Sequence, residues 1–329
     1  MWDQGVFSIS DPTTFPASRG PTYDFAAAWS VDCASSNPAC IVAKVNDHGN
    51  EKSGYSLDGG ATWTVFGASP VAAGTGATGG CIAALTPNSI IMVGSGDTGN
   101  KLLYTSDGGA HWNAAAFSGT NTPLTTTASG WGTNYYWARQ ILIADRVNSV
   151  FYAFNDDGTN GSSGTMGIWK STNGGANWTR YYSGGLLKQG YGSCQMRSVP
   201  GRGGEFCFTA GIDAPPHPGS EGFYRCVDNG SSLSVTAVSG VKEVRSFGFG
   251  KAKPGGSGNP SAYIAGFVSN VYGIYRSDDF FDGGTPTWTA LGDGFPNGVW
   301  DVVKTIEGDA NVWNRCYVGF NGSGFKYWH

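Results

Sequence analysis

The sequence predicts an all-β protein, and three observations carry that prediction. Of its 329 residues 53 are glycine and 15 proline, a glycine share roughly twice the usual one and without the Gly-X-Y period of collagen. Aromatic side chains are abundant, with 12 Trp, 15 Tyr and 18 Phe, enough apolar surface for a packed core rather than a disordered chain. Short apolar runs alternate with glycine-rich turns along the whole length, the pattern of many short strands. The formal net charge of −4 and a pI near 5.5 lack the basic footprint of a nucleic-acid binder. No apolar stretch is long enough to span a membrane.

An internal repeat orders these strands. SLDGGATW (Ser56 to Trp63) recurs as TSDGGAHW (Thr105 to Trp112) and STNGGANW (Ser171 to Trp178). Degenerate copies begin at Cys226 and at Ser277, the last with an insertion before Trp288. In each, Asp or Asn can accept backbone hydrogen bonds within a turn, and glycine supplies the positive φ of a tight hairpin. The closing Trp packs back over the turn. This is the Asp-box, and its acids are read as structural.

Three apolar runs precede each box and one strand follows it, which makes four strands in about 50 residues, the period of a β-propeller blade. The expected organisation is a single propeller domain over 1–329. Residues 1–24 form an N-terminal strand and lead-in, and blades occupy about 25–66, 81–117, 138–182, 194–238 and 243–291. A closing partial blade at 299–329 would take its fourth strand from Met1–Ile9. The blade number is six to seven, and seven would need material outside this chain.

Cysteine usage points to an extracellular protein. Cys33 and Cys40 could close a small disulfide loop and Cys194 could pair with Cys207 across strands, the alternative being buried free thiols. Asn177, Asn229 and Asn321 head glycosylation sequons. Met1 is followed by Trp2-Asp3-Gln4-Gly5 with no basic or apolar leader, so either a signal has been removed or the chain is a piece of a longer one.

In a four-stranded blade the box hairpin joins the third and fourth strands. Second-to-third and blade-to-blade connections then emerge at the opposite end, where the long loops gather and ligands bind. Asp47 and His48 lie in one such loop. Trp131, Tyr135, Tyr136 and Trp137 crowd another, and Trp300 a third. Flat aromatic rings stack on the C–H faces of sugars, so these residues are the candidate substrate contacts; packing at a blade junction is the competing role. Four scattered histidines give no metal cluster, and no cofactor motif occurs. Sialidases also carry Asp-boxes, but nothing marks Arg139, Arg146, Arg197 and Arg245 as a convergent triad.

The boxes, the opening WDQGVF, and the passages SVPG, FGFGKAKPG, GIYRSDD and YVGFNGSGF resemble the C-terminal half of glycoside hydrolase family 74, the xyloglucanases. The resemblance implies two seven-bladed propellers facing across a β-glucan cleft, and an inverting mechanism with one catalytic aspartate from each. Asp3 matches the general acid of a Gly-Asp-x-Gly-Gly-Phe segment, with Trp2 and Val6 in place of two glycines. The partner implied is a polysaccharide of the β-glucan or xyloglucan type, together with a second propeller or other chain. The alternative is a non-catalytic carbohydrate-binding or structural surface-assembly propeller.

Overall fold

The computed structural model describes residues 9, 11–14, 27–34, 37–47, 50–67, 80–93, 102–119, 140–155, 167–183, 195–209, 222–291, 303–320 and 324–329. The chain is all-β and divides into two compact units. One comprises 1–188 with 230–233, the other 189–229 with 234–329.

The first unit holds three antiparallel sheets. Sheet one runs Ala27–Cys33, Ile41–Asp47, Gly54–Ser56, Thr64–Val65, with Asn50–Glu51 closing a hairpin on the second strand. Sheet two runs Cys81–Ala84, Ile90–Val93, Leu103–Thr105, Asn113–Ala114. Sheet three runs Leu142–Asp145, Val150–Asn155, Gly167–Ser171, Asn177–Tyr182. The sheets stack face to face. Ala34, Cys40, Val42 and Phe66 of sheet one meet Ile82, Ala84, Ile90 and Met92 of sheet two. The other face of sheet two meets Leu142, Phe151, Trp169 and Trp178 of sheet three. Because both faces of sheet two are covered, its first two strands are wholly buried, and they read as continuous apolar runs, not as alternation. After its last strand the chain adds Ala116–Phe117 in parallel to Asn177–Trp178. Phe117 there stacks on Trp178 and sets its edge against Trp169.

The second unit contains a continuous ribbon of strands: Gln195–Ser198, Glu205–Thr209, Gly222–Asp228, Leu233–Gly250, Ser261–Val268, Val271–Ser277, Thr289–Ala290. The 18-residue strand Leu233–Gly250 serves two neighbours, bending at Gly240 (φ 75°) and at a bulge that holds Glu243 at φ 43°. Gln195–Ser198, Glu205–Thr209 and Gly222–Asp228 with the start of the long strand make sheet four, and the rest of that strand with Ser261–Val268, Val271–Ser277 and Thr289–Ala290 makes sheet five. Sheet six runs Val303–Gly308, Cys316–Phe320, Phe325–Trp328. Phe223, Phe247, Phe249, Ile264, Phe280 and Phe281 form the core between sheets four and five. Tyr263, Ala265 and Ile274 face Val303, Ile306 and Val318 of sheet six.

The expected disulfides are not formed. Cys33, Cys40, Cys81, Cys207, Cys226 and Cys316 are free thiols. Cys33 is exposed at a strand end, whereas Cys40 is buried beside Ala34 and Val42, so the two side chains serve different surroundings. Cys207 is wholly buried in the core between sheets four and five; Cys194 lies outside the described residues. Burial pushes the Cys81 and Cys316 thiols up to about 12, which makes them packed apolar groups, not nucleophiles. No helix among the described residues is long and apolar enough to cross a membrane.

Candidate functional site

The box residues account for themselves by hydrogen bonding. In the first copy the Ser56 hydroxyl donates to Asp58 Oδ1 at 2.7 Å and accepts the Gly60 amide at 2.8 Å. Asp58 in turn accepts the Thr62 amide and hydroxyl at 2.8 and 2.6 Å, and Trp63 Nε1 donates to the Gly60 carbonyl. Thr105, Asp107, Gly109 and His111 repeat the pattern, with His111 Nδ1 2.7 Å from Asp107 Oδ2. Ser171, Asn173, Gly175, Asn177 and Trp178 make it again with an amide in place of the carboxylate. The paired glycines sit at φ 72–74° and 90–93° in all three, a conformation that side chains resist. In the fourth copy Cys226 replaces the hydroxyl and Leu233 the Trp. In the fifth, Asp279 reaches the Thr287 amide across an insertion whose Phe280 and Phe281 are buried.

These bonds fix the ionisation of the box acids. The Thr62 and Ser56 donors bring the Asp58 carboxyl down to about 2, and the His111 amide with the Thr105 hydroxyl holds Asp107 lower still. Burial raises Asp279, but the Ser277 hydroxyl and Thr287 amide outweigh it. Burial likewise raises Glu205, and Arg202 and Arg225 overcome it. A glycosidase acid needs the opposite shift, keeping its proton near neutral pH. These four carboxylates are therefore unsuited to the general-acid role.

Strand register shows which end of each sheet remains. Ser56 pairs with Ile41 while Asp47 lies at the other end of that strand, opposite Asn50. Thr105 pairs with Ile90, and Ser171 with Phe151. In every sheet with a box, the second-to-third connection therefore leaves from the end away from the box. Asp47 is the only candidate contact whose backbone is described, and it ends a strand opposite Asn50. Asp3, His48, Trp131, Tyr135, Tyr136, Trp137 and Trp300 lie outside the described residues.

The arginines raised by the sialidase comparison have other duties. Arg146 pairs with Asp32 at 2.6 Å, Arg197 pairs with Glu307, and Arg245 lies over the Tyr272 ring; Arg139 lies outside the described residues. Among the described residues no group of three or more His, Cys, Asp or Glu is placed to hold a metal. The residue that sequence reading passed over is Tyr272, 38% exposed at the end of sheet five away from its box. Its signal was the Ser269-Asn270 pair, two residues that suit a tight turn.

No family model matches the chain. It is 32% identical to a xyloglucanase of a Paenibacillus species over 333 residues, 99% of this chain and 28% of that protein. A xyloglucanase of Acetivibrio thermocellus is 27% identical over 292 residues, 88% of this chain and 29% of its own. Among solved structures it superposes on a glycoside hydrolase family 74 enzyme from Niastella koreensis with a TM-score of 0.66 and 23% identity, covering 97% of this chain and 39% of that one. YCF48 from Cyanidioschyzon merolae matches at a TM-score of 0.50 and 16% identity, over 94% and 97%. At these identities the structural matches speak for the fold, and both neighbours are propellers. The chain spans less than a third of the length of the curated xyloglucanases named above.

Proposed function

Because the chain is homologous over nearly its whole length to the xyloglucanases of glycoside hydrolase family 74, of which it spans about one propeller's share, we propose that it is an extracellular β-propeller that holds a β-glucan chain of the xyloglucan type. The observation that carries this reading is the 32% identity to a xyloglucanase across 99% of the chain. The box geometry supports it by accounting for the box acids structurally, which leaves the opposite sheet ends for a ligand.

In this reading the six described sheets are blades of one ring of six to seven. Trp131, Tyr135, Tyr136, Trp137 and Trp300 stack on pyranose rings, and Asp47 and His48 hydrogen-bond their hydroxyls. Asp3 donates a proton to the departing glycosidic oxygen. The base that activates water belongs to a second propeller or other chain, with its carboxyl roughly 6.5–9.5 Å from Asp3, as inversion requires. A second reading, a binding propeller without catalysis, is favoured by Trp2 and Val6, which replace glycines of the family's acid segment.

Two measurements separate the readings. Affinity electrophoresis in xyloglucan tests binding, and release of reducing sugar tests cleavage. The catalytic reading expects hydrolysis by the intact protein that Asp3→Asn abolishes while retardation in the gel persists. Retardation with no hydrolysis, and no effect of Asp3→Asn, selects the binding module. No retardation in any β-glucan overturns both.

A further inference from the structure

Sheet five differs from its neighbours at the end away from the boxes. In sheets two, three and four the second and third strands are separated by 94–102, 156–166 and 210–221, and in sheet six by 321–324. In sheet five only Ser269 and Asn270 join Val268 to Val271, both with left-handed backbones at φ 50° and 66°. That is the two-residue hairpin whose twist matches its strands. The tip is tied down from both sides: the Ser269 amide donates to the Gly240 carbonyl at 2.9 Å, and the Tyr275 hydroxyl donates to the Val271 carbonyl at 2.9 Å. Gly273 leaves room for this, since a Cβ there would meet the Tyr275 ring at 3.0 Å.

The tethered hairpin presents an aromatic row. Lys242 pairs with Phe267 and Phe267 with Tyr272, so the three side chains stand abreast across three strands. The Phe267 and Tyr272 rings meet edge to face at 5.3 Å, which fixes the tyrosine plane. The Arg245 guanidinium lies 6.0 Å from the Tyr272 centroid. Tyr272 is 38% and Val271 62% exposed. The row lies on the face that packs Tyr263, Ala265 and Ile274 against sheet six, three residues along the chain from Trp300 at Val303.

We propose that Tyr272, fixed by Phe267 and with the Arg245 guanidinium on one side of its ring, is a stacking subsite for one pyranose ring of a neutral β-glucan, at the loop end of sheet five. The inference rests on the β-glucan reading above and adds a site to it. A rigid ring loses little freedom on binding. The Arg245 guanidinium beside it supplies donors for the hydroxyls that surround a sugar's apolar face. The formal charge of −4 makes a polyanionic chain the poorer occupant.

The test is affinity electrophoresis of the full chain in xyloglucan, at low and high salt, with unfolding midpoints to check integrity. Tyr272→Ala is expected to weaken retardation about three- to tenfold, the worth of one aromatic contact. Tyr272→Phe keeps the ring and stays within about twofold of the parent, because stacking needs the ring face and not the hydroxyl. Leu57→Ala, at a still more exposed apolar residue of a box (56%), leaves retardation unchanged. Retardation by the parent with no loss in Tyr272→Ala overturns the subsite and leaves the β-glucan reading standing. Stronger, salt-sensitive retardation in a uronate polysaccharide overturns the neutral ligand. No retardation in any β-glucan overturns the subsite together with the reading beneath it.

Discussion

Each unit locks the first strands of its three sheets with the same three parts, a carboxylate, a backbone amide of the middle sheet and a guanidinium. In the first unit Asp32 Oδ2 accepts the Ala84 amide at 2.9 Å and Arg146 at 2.6 Å, and Arg146 Nε donates to the Ala84 carbonyl. In the second, Glu307 Oε1 accepts the Phe249 amide at 3.1 Å and its other oxygen pairs with Arg197. The order along the chain is reversed, acid first in one unit and arginine first in the other. The middle strands also differ. The first unit has Ala84 there. The second has Gly248 and Gly250 facing sheet six: a Cβ on Gly248 would meet the Ile306 carbonyl at 2.5 Å, and one on Gly308 would meet Gly250 Cα at 2.5 Å. Gln195 and Ser246 add side-chain bonds to Phe247 and Ile306 along the same seam. One electrostatic device thus serves two strand spacings. Where the backbones touch, a methyl has no room; where side chains fill the gap, the ion pair adds to an apolar core.

The largest expected effect breaks the glycine seam. Gly308→Ala forces a methyl into the backbone of Gly250 and should cost about 3 kcal/mol, the upper end of ordinary overpacking, read from the denaturant midpoint at constant slope. Gly59→Ala is the control. Its φ of 74°, unlike the backbone at Gly308, is itself unwelcome to a side chain, but nothing lies within 4 Å, so it should cost only about 1 kcal/mol of backbone strain. Equal losses in the two would remove the steric argument.

The next effect sharpens the electrostatic half. Asp32→Ala strands Arg146, whose side chain is 23% exposed, and should cost about 2 kcal/mol. Glu307→Ala should cost about 1 kcal/mol or less, because that carboxylate is 44% exposed and water screens the pair. Removing Arg146 along with Asp32 should recover part of the first loss, as a double-mutant cycle measures. A larger loss at Glu307 than at Asp32 would show that exposure does not rank the two locks.

What could be read from the sequence was what is local. Ser/Thr-x-Asp/Asn-Gly-Gly-x-x-Trp places hydroxyl, acceptor, positive-φ glycines and plug within eight residues, so the turn can be worked out without knowing what surrounds it. The Asp32–Arg146 lock joins residues 114 apart and has no pattern of its own. The Cys33–Cys40 spacing could not reveal that one thiol faces solvent and the other a core. Tyr272 was missed because a tyrosine in an alternating strand looks like packing; only the turn two residues earlier distinguishes it. The candidate sugar contacts were legible as aromatic-rich loops, but composition names residues and not their arrangement. They fall almost entirely outside the described residues.

The smallest expected effect compares boxes within the first unit. Asn173 makes the turn bonds of Asp58 and Asp107 with a side chain that does not titrate. Asp58 holds its proton only below about 2, against an unfolded value of about 3.9, and Asp107 is lowered further. A carboxyl whose folded value is depressed contributes stability above the unfolded value and loses it as pH falls toward the folded one. The window is therefore from about pH 4 down to about pH 2. Asp58→Asn with Asp107→Asn should leave the fold intact, as the third box does, and flatten the fall of the melting temperature across that window relative to the parent. An unchanged slope would mean that the box acids contribute their geometry alone, and that the acid sensitivity of the fold lies with its arginine-paired carboxylates.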